Sequence, residues 1–206
     1  MSTELPPITT TPPMAPVAQR WHAPLRVGAV GIAVLEFAIA TLGAAGQQWT
    51  VPALVIIQFT VVIAAGTWLT LIDLRVKMLP NAIVHPLGVV IGTGSLAIAI
   101  ADHDITRLWW SLAGAAGMWV LYLALALAGG VGGGDLKLAA VLGAWLGTVG
   151  WEPVLAGAVL AYVIAIPHTV VILARTRSMK QSIAFGPYLL AGAIAAAVLH
   201  GIVGPV

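Results

Sequence analysis

The sequence predicts an all-α fold, a polytopic membrane helix bundle of about seven transmembrane helices with a cytoplasmic N-terminus. Three observations predict it. Hydrophobic residues make up 60% and charged residues 8% of the 206 positions, and the mean hydropathy is +1.03, far more oil and less charge than a water-soluble domain carries. The apolar residues gather into runs near the roughly 20 needed to cross a hydrocarbon core. The nine Lys and Arg residues divide very unequally between alternate ends of those runs.

Taken in order, residues 1–26 hold six of the thirteen prolines, several threonines and no apolar periodicity. This reads as a disordered tail. It lacks a short apolar core followed by a small-residue cleavage site, so it does not follow the pattern of a signal peptide. Residues 27–206 form the helical domain, with apolar runs at 27–46, 52–72, 83–101, 107–128, 136–150, 153–174 and 184–203. If the runs alternate in direction, Arg20, Arg26, Arg75, Lys77, Lys137, Arg175, Arg177 and Lys180 share one side, and Arg107 stands alone on the other. The positive-inside tendency makes the first side cytoplasmic. The outer loops then receive Asp102, Asp104 and Glu152, while Trp49, Trp109, Trp110 and Trp151 fall at outer ends as an interfacial belt. Membrane lipid is the expected surround. The basic residues are scattered, so nucleic acid is not an expected partner. The absence of cysteine excludes disulfides, Cys-ligated zinc, iron–sulfur clusters and a thiol nucleophile.

One polar stretch interrupts the oil. Gly129 to Gly134 contains five glycines in six residues, which is unsuited to a helix interior because glycine packs no side chain and loses the most backbone freedom. The turn delivers Asp135 to the start of the fifth run. From Asp135 to Gly150 that run is about 24 Å long at 1.5 Å per residue, against a hydrocarbon core of about 30 Å. Asp73 ends the second run, so alternation places both aspartates on one face. Two carboxyls meeting there cannot both ionise easily and would share a proton, as in aspartic proteases. Simpler roles stand beside this one. Asp135 at a helix start can cap free N–H groups, and Asp73 can pair with Arg75 or Lys77.

The residues around both aspartates resemble those of a known family. Asp73-Leu-Arg-Val-Lys-Met-Leu79-Pro80-Asn81 is similar to the first aspartate motif of the type IV prepilin peptidases. Gly132-Gly133-Gly134-Asp135, continued by Leu136-Lys137-Leu138, resembles that family's Gly-x-Gly-Asp motif, and Phe185-Gly186-Pro187 resembles its Phe-Gly-Pro. Three motifs in the right order, each at a cytoplasmic helix end, are more specific than one. The resemblance implies an aspartic endopeptidase of the prokaryotic cytoplasmic (inner) membrane. Its substrates would be prepilins or pilin-like proteins of a pilus, competence or secretion system, which it would relieve of a basic leader. It implies Asp73 and Asp135 as the catalytic pair. Gly132, Gly133, Gly134, Lys137, Pro80, Asn81, Phe185, Gly186 and Pro187 would shape the site, with no metal or other cofactor. Bifunctional members carry a cysteine-paired zinc domain and N-methylate the new terminus; without cysteine, a compact peptidase-only form is expected. Ile72 before Asp73, where presenilin-like proteases have tyrosine, favours the prepilin branch.

Other residues fit other chemistry poorly. Glu36 lies mid-run and is expected to hydrogen-bond inside the bundle, because an intramembrane acid needs a partner or a role. Pro167 is expected to kink the sixth helix, which membrane helices tolerate. The histidines make no His-Glu-x-x-His pattern. Gly92-Thr93-Gly94-Ser95 has no glycine after its serine and no evident base, and suits close helix packing better. The reading from a different class is a small proton- or cation-coupled transporter using the same aspartates and a broken helix. No internal repeat supports it. A catalytically inactive scaffold of a pilus or secretion assembly is the third reading.

Overall fold

The computed structural model describes residues 15–43, 48–76, 79–128, 131–176 and 184–200. Among these the chain forms seven helices: α1 (Ala15–Gly43), α2 (Thr50–Val76), α3 (Asn81–Ala101), α4 (Thr106–Leu127), α5 (Gly133–Gly147), α6 (Trp151–Thr176) and α7 (Gly186–His200). Four contain segments long and apolar enough to cross a membrane, namely Thr50–Arg75, Asn81–Ala101, Thr106–Leu127 and Trp151–Val171. The chain is a multi-pass membrane protein. α1 begins at Ala15, upstream of the start expected at residue 27. Residues 1–14, Lys77 and the glycines at 129 and 130 lie outside the described residues.

Consecutive helices run antiparallel, as short connections require. Ser111 on α4 donates to Ser95 on α3 at 3.0 Å, and Gly186 at the start of α7 meets Asp73 near the end of α2. The starts of α3, α5 and α7 therefore gather at one end with the ends of α2, α4 and α6. The opposite end carries Trp49, Trp109, Trp110 and Trp151, each between 43% and 66% exposed. Its α3–α4 turn is closed by His103 in the left-handed region (φ 54°) and by an Arg107–Asp102 ion pair at 2.5 Å. Hydrogen bonds from Thr106 hold the Asp104 carboxyl below its ordinary range.

α5 is the centre of the bundle. Leu138, Ala139, Leu142, Trp145 and Leu146 are all buried, and the helix touches α3, α4, α6 and α7. Lipid tails are as apolar as leucine, so helix association in a bilayer relies on close packing of small residues. α4 and α5 meet through Gly114 and Gly143, where a Cβ on either would strike the other's carbonyl oxygen. Gly147 lies against the Trp110 carbonyl in the same way, and Gly192 of α7 against the Ala161 backbone of α6. At 15 residues α5 is about 22 Å long. Because Gly147 is level with Trp110, and only residues 148–150 separate it from α6, the shortfall lies at the aspartate end. There α6, continuous through Pro167, is exposed on all sides from Ile166 to Val171.

Glu36 is fully buried, and Thr93 donates to its Oε2 at 3.1 Å. Gln58 Nε2 donates to the Ile91 carbonyl at 3.3 Å, while Ser95 donates to the same oxygen at 2.7 Å. With Ser111, these side chains form a polar row from α1 to α4. Ser95 is thus engaged inside a helix crossing. It does not stand as an exposed nucleophile.

The backbone contacts at the α4–α5 crossing leave no flexible side chain to yield. Gly114→Ala and Gly143→Ala are each expected to destabilise the protein by about 1–3 kcal/mol, the usual cost of overpacking. Gly117→Ala, on the same helix with open space around its Cβ position, is expected to be neutral or stabilising by up to about 1 kcal/mol. Thermal unfolding midpoints in detergent micelles measure all three.

Candidate active site

The link from α2 to α3 is shaped by Pro80, whose fixed φ of −71° and extended ψ of 126° end one segment and start the next. Its carbonyl accepts from Ile83 and Val84 at 3.1 and 3.3 Å, so α3 opens without a side-chain cap. Asp73, one turn before the end of α2, is 3% exposed. Its Oδ2 accepts a hydrogen bond from the Gly186 amide at 3.1 Å. Gly186 is the first residue of α7, where backbone N–H groups lack helical partners and the dipole favours an anion. A Cβ on Gly186 would lie 2.8 Å from that same oxygen. Asp73 is therefore held by the first turn of a helix more than a hundred residues away, while Arg75 is exposed.

Asp135 occupies the first turn of α5 and is 8% exposed. Gly132, extended at φ −79° and ψ 153°, precedes that turn, and a Cβ placed on it would lie 3.5 Å from Asp135 Oδ2. The other carboxyl oxygen, Oδ1, is buried with no hydrogen-bond partner. A cap alone leaves that oxygen unaccounted for. The two carboxyls also lie near enough to repel one another when both are charged. A buried pair of this kind accommodates one proton between two acids, which suits it to give a proton to one reacting atom while taking one from another.

The remaining motif residues act mainly as framework. A Cβ at Gly134 would lie 2.8 Å from Leu79 Cβ, so glycine lets α5 sit against the α2–α3 link. Lys137 Nζ donates to Asn81 Oδ1 at 2.9 Å, tying the first turn of α5 to that of α3. Gly133 faces open space. Pro187 lies in the first turn of α7, where a missing N–H costs nothing. Phe185 packs on Tyr162 at 5.1 Å and on Tyr122 at 6.1 Å between ring centroids. Those two tyrosines, from α6 and α4, line the site without belonging to any motif. The sequence offered only their scarcity, three tyrosines in the chain; the structure shows that all three adjoin Phe185.

Comparison with known proteins identifies the family of the chain. Residues 60–203 match the model of the type IV leader peptidase family. A protein of Pseudomonas putida named prepilin leader peptidase/N-methyltransferase is 33% identical over 174 residues, covering 81% of this chain and 56% of the relative. One of the same name from Pectobacterium carotovorum subsp. carotovorum is 30% identical over 168 residues, covering 77% and 56%. A third, from Stutzerimonas stutzeri, is 33% identical over 141 residues, covering 63% and 46%. The chain spans about half the length of these curated relatives, and no solved structure matches it. The matched region runs from the middle of α2 through α7 and includes both buried aspartates, so the chain belongs to the type IV leader peptidase family.

Proposed function

We propose that this protein is an aspartic endopeptidase that removes the basic leader from prepilins or pilin-like proteins at the cytoplasmic face of a prokaryotic inner membrane. Asp73 and Asp135 are its catalytic pair. The observation that carries this reading is the convergence of two buried carboxyls from α2 and α5 at one end of the bundle, each beside a glycine. One carboxylate takes a proton from water as the water oxygen attacks the scissile carbonyl carbon. The other carboxyl, protonated, gives its proton to the carbonyl oxygen. Collapse of the tetrahedral adduct breaks the carbon–nitrogen bond, and the proton taken from water passes to the leaving amine. As the carbonyl re-forms, a hydroxyl proton of the adduct returns to the other carboxylate, so the pair regains its single shared proton. Gly133, which faces open space, leaves room for an extended substrate beside Asp135, Gly134 seats α5 on the α2–α3 link, Gly132 lies against the Asp135 carboxyl, and the Lys137–Asn81 contact keeps that floor rigid.

The cytoplasmic assignment rests on the eight-to-one distribution of Lys and Arg between the two ends. Because the chain has no cysteine, single introduced thiols report on sidedness. A membrane-impermeant maleimide is expected to label Asp104→Cys in intact cells and Arg75→Cys only after lysis; the reverse pattern overturns the assignment.

Detergent-solubilised protein is expected to cleave a peptide bearing a basic leader before an apolar segment. Asp73→Asn and Asp135→Asn are each expected to lower the rate about a thousandfold, within the range for loss of a general acid or base. Cleavage surviving either substitution removes that residue from the pair. Proton flux that is lost in both variants, without peptide cleavage in the parent, would establish the transporter instead. Gly186→Val, which drives a side chain into Asp73 Oδ2, is expected to reduce cleavage by at least about tenfold.

A further inference from the structure

Three buried polar atoms near the aspartates lack partners. They are Asp135 Oδ1 and the hydroxyls of Tyr122 and Tyr162. Tyr122 is fully buried, and a buried orphan of this kind is destabilising when isolated. They are not isolated from one another. The tyrosine rings stack with centroids 6.2 Å apart, and the Gly114–Gly143 crossing of antiparallel α4 and α5 brings Tyr122, eight residues on from Gly114, level with Asp135, eight residues before Gly143. Two groups that can donate thus adjoin one oxygen that can only accept while ionised. Phe185 packs against both rings and is followed by the amide that holds Asp73, so the same aromatic wall backs both acids.

We propose that Tyr122 is a positioning residue of this site, its hydroxyl donating across one water to the free oxygen of Asp135, with Tyr162 completing the chain of hydroxyls. This deepens the peptidase reading and rests on it for its catalytic consequence. Gly132 packs beside one carboxyl oxygen and the tyrosine holds the other, so the plane of the carboxyl is set against Asp73. Lys137, on the same helix, is turned to Asn81, and Tyr188 is bonded to His168. Neither therefore serves Asp135.

Tyr122→Phe removes only the hydroxyl and keeps the ring against Phe185. In the full-length protein the infrared carboxylate band of Asp135, assigned by its loss in Asp135→Asn, is expected to shift in Tyr122→Phe. On the leader-bearing peptide, kcat is expected to fall about ten- to a hundredfold with KM within about twofold, as for a misplaced catalytic group. A hydroxyl that merely fills space moves neither reading, and its removal raises the thermal midpoint by relieving an unsatisfied group. An unshifted band in both Tyr122→Phe and the Tyr122→Phe/Tyr162→Phe double variant overturns the proposal. A shifted band in a protein whose parent cleaves no leader peptide upholds the hydrogen bond and rejects the peptidase reading.

Discussion

The contact on which the rest of this structure depends is the meeting of two backbones at Gly114 and Gly143. Hydrocarbon supplies no hydrophobic drive between helices, so α5 is held by the short-range attraction available when main chains touch. The contact sets how far α5 slides along α4. With Gly147 against Trp110, that register decides the height at which Asp135 enters the bundle. α7 is set in turn by Gly192 against α6, which decides where the Gly186 amide meets Asp73. The two acids are thus positioned by small residues at distant helix crossings as well as by the motif around each.

Burying a carboxyl without partners is expensive, and among the described residues neither acid is paired with a cation. Asp73 takes an amide from the start of α7, and Asp135 lies beside Gly132 at the start of its own helix. Arg75 stays exposed, and Lys137 is drawn aside to Asn81. A lysine paired with either acid would hold it ionised throughout and leave no proton to exchange. Neutral dipoles stabilise a charge while still permitting protonation.

Much of this was legible in the chain. Six of the seven runs end within a few residues of the observed helices, because the length of an apolar run is a direct consequence of membrane thickness. That Asp73 and Asp135 lie at the same end of the bundle followed from alternation. The start of α1 was not legible, since prolines and threonines near residue 16 resemble a tail as much as a first helical turn. The Asp73–Gly186 bond was hidden for another reason: a hydrogen bond spanning 113 positions leaves no local pattern. Tyr122 and Tyr162 were missed because an aromatic on an apolar helix face looks like ordinary core until the direction of its hydroxyl is known. Asp135 was ambiguous as a cap because it does stand in the first turn of α5.

The unequal helix lengths carry a consequence for the surrounding lipid. α2 and α6, at 27 and 26 residues, are about 40 Å long, nearly twice α5 at about 22 Å. Since α5 is flush at the tryptophan end, the apolar turns of α6 beyond it stand bare. Acyl chains must thin or tilt around such a step. The cost of that adjustment changes with the acyl-chain length of the host membrane, so bilayer thickness bears on how this end of the bundle is accommodated.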